Sequence, residues 1–185
     1  MPILRQEPSL FPETLLDEAP WPDGDRYWLV AYTKPRQEKA LSRELFRQQI
    51  PFYLPLVRKT IYRPRRKLYS HTPLFAGYVF LFASEAERTR TWTTNRVARL
   101  LQVADGSRLV GDLRQLRQLI SSNAPLTVES RLAPGDRVRV RNGPFAGIEG
   151  TVLHRRGTTR LLVSINFLQR GASVEIDDFL LEPIN

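Results

Sequence analysis

PLFAGYVFLF, residues 73–82, is the stretch from which the rest of the chain is read. Four of its ten residues are Phe or Tyr. A strand sends alternate side chains to opposite faces. Leu74, Tyr78, Phe80 and Phe82 hold one parity; Phe75, Val79 and Leu81 hold the other. Both faces are therefore apolar. Two readings follow. One is a central strand buried on both sides. The other is a strand with one face on a core and one offered to a partner.

On its N-terminal side lies a basic segment, RKTIYRPRRKLYS at 58–70, with Ile61, Tyr62 and Tyr69 interleaved. This reads as a hairpin arm or a loop. Cations for phosphates and rings for bases are what single-stranded nucleic acid requires; an ordinary exposed hairpin has the same composition. On the C-terminal side, Ser84-Glu85-Ala86-Glu87 is a capping box that opens a helix to about Thr94.

Charge is distributed unevenly. The net charge is +9, and residues 34–70 alone carry eleven basic and two acidic groups. Such a patch draws in phosphate backbones without reading sequence. Residues 1–26 run the other way, with two basic and six acidic groups and five Pro. They read as a mostly disordered tail. The N-terminus has no basic region followed by an apolar one, so no secretory signal is expected. No apolar run reaches membrane-spanning length, and a cytoplasmic, non-membrane protein is expected.

YWLVAYT at 27–33 predicts the first strand, and Lys34-Pro35 opens a helix to about Gln49. Leu41 and Leu45 form its apolar stripe. FYLPLV at 52–57 predicts an edge strand, since Pro55 cannot donate to a ladder. VARLLQV at 97–103 predicts another strand. Asp112, with Gln115 three residues on, caps a last helix carrying Leu113, Leu116, Leu119 and Ile120. Residues 27–122 thus form an α+β domain, an antiparallel sheet flanked by helices. NAPLTVESR at 123–131 is a linker. Residues 132–185 alternate Arg and Val and then show further short strands with Gly-rich turns. They predict a small all-β barrel.

Nothing catalytic stands out. The chain has no Cys, and its two His, His71 and His154, fall in different predicted domains. No Gly loop precedes a helix to cradle phosphate. Asp177-Asp178 are the only adjacent acids outside the N-terminal tail. No enzyme activity, cofactor or metal is expected.

Four stretches in order resemble the NusG family of transcription elongation and antitermination factors: YWLVAYTKPRQEKA, PLFAGYVFLF, GDRVRVRNGPFAGIEGTV, and VSINFLQRGASVEI followed by DDF. The third resembles the KOW motif. The resemblance covers residues 27–185 and implies an NGN domain and an SH3-like KOW barrel. It implies docking on the clamp helices of the largest RNA polymerase subunit through Tyr32, Tyr78 and Phe80. Phe75, Val79 and Leu81 are then the core side of the strand. Lys34, Arg36 and Gln37 match positions facing the displaced non-template DNA strand, and Arg96 is a further candidate. Arg63, Arg65, Arg66 and Lys67 add phosphate contacts. Phe167 and Leu168 match the surface that recruits a second factor, either Rho or a small-subunit ribosomal protein. The aromatic PLFAGYVFLF resembles specialised, operon-targeted paralogues of the RfaH type. A housekeeping NusG-type factor and a ribosome-associated KOW RNA-binding protein are the alternatives. The protein is expected to be a monomer, and its C-terminal domain to be a barrel and not a helical hairpin.

Overall fold

The structure, a computed structural model, describes residues 8–17, 24–64, 66–131 and 135–184. The chain divides into two compact units, residues 1–106 and 107–185. In chain order the first unit holds β1 (Leu10–Phe11), β2 (Tyr27–Thr33), α1 (Glu38–Arg47), β3 (Phe52–Tyr53), β4 (Leu56–Arg63), β5 (Arg66–Pro73), β6 (Tyr78–Ala83), α2 (Glu85–Thr93) and β7 (Val97–Gln102). Then come α3 (Gly106–Ser121), β8 (Thr127–Glu129), β9 (Arg137–Val140), β10 (Glu149–Arg155), β11 (Thr158–Ile165), β12 (Arg170–Glu175) and β13 (Leu181–Pro183). This is an α+β fold with antiparallel sheets.

The five-stranded sheet of the first unit has the order β1-β3-β6-β2-β7. β6 lies at its centre, paired with β3 on one side and β2 on the other. Leu29 and Ala31 of β2 and Val79, Leu81 and Ala83 of β6 form one face. Leu41 and Leu45 of α1, one turn apart, are buried on it with Phe52 and Val97. The other face is also buried: Trp28, Val30, Phe80 and Phe82 are all closed to solvent. Trp28 and Phe82 stack with ring centroids 5.5 Å apart. Both faces of β6 are therefore apolar for a packing reason, and Phe75, Val79 and Leu81 are core.

Several sequence expectations need correction. Residues 73–82 are not one strand. Pro73 ends β5, residues 74–77 turn, and β6 starts at Tyr78. Gly77 makes that turn with φ +85°. The edge strand expected at 52–57 splits at Pro55 into β3 and the start of β4. α1 starts at Glu38 and not at Lys34, because the chain turns through Arg36 at φ 61°. Part of the acidic tail is folded. β1 pairs with β3, and Leu15 and Leu16 are buried. Phe11 meets Phe46 edge to face at 5.2 Å. For the basic segment the hairpin reading holds and the loop reading does not: β4 pairs with β5 in register from Leu56↔Pro73 to Arg63↔Arg66.

The second unit holds a six-stranded antiparallel sheet, order β13-β9-β10-β11-β12-β8. This sheet agrees with the alternating pattern, as Val138 and Val140 are buried between exposed arginines. The predicted linker is partly strand, since β8 pairs with β12. Glu129 of β8 is buried, where Ser173 Oγ donates to it at 2.7 Å and Arg155 pairs with it at 3.1 Å. α3 starts six residues before Asp112, so Asp112 is not its cap. By its contacts α3 counts with this second unit, ahead of the boundary expected at 122.

Candidate functional site

β2 and β6 run past the edge of the buried layer, and their outer ends meet as a pair of tyrosines. Tyr32 and Tyr78 are directly opposite in register. Their rings lie 5.3 Å apart at 51°. Tyr32 is 42% exposed and Tyr78 is half-buried. Phe80, two residues further in, is 0% exposed. The expectation that Phe80 presents a ring to a partner is therefore corrected. A mid-strand residue of a central strand is covered, and Phe80 is core, on the same sheet face as the tyrosines and two residues further along. The backbone of Gly77 permits the pair, because a Cβ there would sit 3.1 Å from Tyr32 Cε2.

A cluster of polar groups is tied to the same end of the sheet. Thr33 N donates to Gly77 O at 2.8 Å, and Lys34 N donates to Arg96 O at 2.8 Å. These two bonds join the β2–α1 turn to the turns before β6 and β7. Arg96 Nη1 donates to Gln37 Oε1 at 2.5 Å. Lys34 Nζ donates to Asn95 Oδ1 at 2.6 Å while remaining exposed. Arg36 is exposed in its left-handed turn. The buried Glu38 accepts from Gly77 N at 2.7 Å. A carboxylate at the first turn of α1 thus braces the loop under the tyrosines. Sequence reasoning missed Glu38 and Asn95. The structure brings together Tyr32, Tyr78, Lys34, Arg36, Gln37 and Arg96.

The hairpin cations are elsewhere. Lys67 lies six residues up the arm from Pro73, and its Nζ is 5.8 Å from the centroid of the Tyr62 ring. Arg63 and Arg66 face each other in backbone register at the tip, and Arg65 lies outside the described residues.

In the second unit, β11 ends at Ile165 and residues 166–168 form a 3₁₀ turn. This turn presents Phe167, 37% exposed, with Leu168 half-buried. α3 holds the turn. Asp112 accepts from Asn166 N at 2.9 Å and from Asn166 Nδ2 at 3.2 Å. Gln115 Oε1 accepts from Glu149 N at 2.6 Å, and Gln118 Nε2 donates to Ala146 O at 3.0 Å. Among the described residues no group of three or more His, Asp or Glu side chains is placed to hold a metal ion. No helix among them is long and apolar enough to cross a membrane.

Residues 26–129 match the family model of NusG, the transcription termination factor. The chain belongs to the NusG family. No curated relative matches it. The family comprises transcription elongation, termination and antitermination factors that act with RNA polymerase, and the match spans the whole tyrosine corner.

Proposed function

We propose that this NusG-family chain is an elongation and antitermination factor that docks on the clamp helices of the largest RNA polymerase subunit through Tyr32 and Tyr78. The observation that carries this reading is the tyrosine pair at a braced sheet end, Tyr32 exposed and Tyr78 half-buried, beside Lys34, Arg36 and Arg96. Aromatic anchors with a polar surround are the usual make-up of an interface hot spot. A helix pair can lay an apolar stripe across them. Phe80 lies one same-face pair further along the two strands. Lys34, Arg36, Gln37 and Arg96 then face the non-template DNA strand, with the hairpin cations adding phosphate contacts.

The second unit acts as the recruiting domain. Phe167 and Leu168 are its contact with Rho or with a small-subunit ribosomal protein. The chain works without catalysis, as a cytoplasmic monomer. The aromatic 73–82 stretch favours a specialised, operon-targeted paralogue over a housekeeping factor.

The test is transcription in vitro through a pause and a Rho-dependent terminator on several leader sequences. Faster elongation on every template marks a general factor. Read-through on one leader alone marks the specialised form. Tyr32→Ala with Tyr78→Ala is expected to abolish polymerase binding with the circular dichroism spectrum unchanged. Retained binding refutes the docking assignment.

A further inference from the structure

The β4–β5 hairpin exposes two tyrosines. Tyr62 is 75% exposed and Tyr69 58% exposed. Register and strand parity put both rings on one face. Arg58 pairs with His71, Thr60 with Tyr69 and Tyr62 with Lys67, so these six residues share a side. On that face each ring has its own cation. Arg58 Cζ lies 4.7 Å from the centroid of Tyr69, and Lys67 Nζ lies 5.8 Å from that of Tyr62. The pattern is ring and cation repeated along the arm.

We propose that this face, Arg58, Tyr62, Lys67 and Tyr69, is a binding platform for single-stranded DNA. The rings stack unpaired bases, and the cations beside them hold the flanking phosphates. Three observations carry it. The chain has no carboxylate between Glu44 and Glu85, so the arm is electropositive along its whole length. The rings are offered to solvent, and only unpaired bases have π-faces free to meet them. Tyr62 and Tyr69 are diagonal neighbours on that face of the ladder, so successive bases of one strand can meet them in turn. The proposal rests on the reading that this chain works at a transcription bubble. Of the two single strands found there, it commits to the displaced DNA, which the same unit is proposed to follow through Lys34 and Arg36.

The experiment needs no polymerase. Fluorescence anisotropy of the full chain is measured with labelled dT15, U15 and a 15-base-pair duplex, in a salt titration. We expect dT15 to bind at least tenfold tighter than the duplex. Tyr62→Ala with Tyr69→Ala lowers dT15 affinity at least tenfold with an unchanged salt slope. Tyr62→Phe with Tyr69→Phe keeps the rings and keeps the affinity, which separates stacking from a folding defect. Arg58→Ala and Lys67→Ala each reduce the salt slope by about 0.7. Equal binding of duplex and dT15, or an alanine pair that binds like the parent, overturns the platform. U15 binding tighter than dT15 overturns the assignment to DNA. Polymerase binding by the same alanine pair is expected to persist. Failure of the docking reading would instead show in the Tyr32 and Tyr78 variants, so the two can fail separately.

Discussion

At Gly77 one missing Cβ decides the shape of the tyrosine corner. Its φ of +85° is one that L side chains rarely adopt, and the space beyond it is filled by Tyr32 at 3.1 Å. Gly77→Ala meets both obstacles, and we expect a loss of about 1–2 kcal/mol. Urea unfolding gives that number, and the near-ultraviolet tyrosine band reports the displaced Tyr32 ring. Glu87 is a second such residue. It is 6% exposed, receives Arg26 Nε at 2.9 Å and Nη2 at 2.8 Å, and closes the capping box by accepting from Ser84 N at 2.9 Å. Burial works to raise its carboxyl, but the Arg26 and Ser84 hydrogen bonds outweigh it and hold the group below the usual carboxylate range. A carboxylate depressed on folding stabilises above its unfolded value, about 4.3. That contribution is lost as pH falls through the lower, folded value. Glu87→Gln should therefore cost about 1–2 kcal/mol at neutral pH. The gap between variant and parent should close in the acid range. A gap constant from pH 7 to pH 3 would show that Arg26 does not act through the charge.

At the scale of elements, α3 shows what pattern reading reaches and where it stops. Its apolar face, Leu113, Leu116 and Leu119, was legible from spacing and is fully buried. Its start was not. Gly106 reads as a turn residue, yet the helix begins there, and Asp112 spends its carboxylate on Asn166 instead of on a cap. A bond across 54 positions leaves no local signal. The same holds for Glu38 and Gly77, separated by 39 positions. Strands and α1 were legible because their apolar periods are local. The depth of Phe80 was not, since parity gives a face but not what covers it. The bond to Asn166 makes a prediction about the turn that carries Phe167. Asp112→Ala leaves Asn166 N without its acceptor, at about 1–2 kcal/mol. Amide hydrogen exchange at Asn166 and Phe167 should rise roughly tenfold, while the middle of β11 stays protected. Equal protection in parent and variant would show that the turn holds itself.

For the whole molecule the question is whether nucleic acid is held by net charge or by placed cations. The chain carries +9, with 28 basic residues, and its two units share that charge. A diffuse field would respond little to the removal of two of them. Placed cations would respond in proportion to their number. Leaving aside the cations at the hairpin tip, Lys34, Arg36 and Arg96 at the corner and Arg58 and Lys67 on the hairpin face are five candidates for phosphate contact. Five phosphates on a single strand give a log–log salt slope of about −3.5. Raising salt from about 50 to about 200 mM then weakens dT15 binding roughly 100-fold. Lys34→Ala with Arg36→Ala should flatten the slope to about −2 and cut that loss to roughly 20-fold. Polymerase binding should persist in this variant, because neither side chain belongs to the tyrosine pair. If the slope stays at its parental value, the two side chains hold no phosphate, and the attraction belongs to the field of the whole chain. If it falls by about 1.4, the corner counts phosphates one by one, and the non-template strand runs past the end of β2.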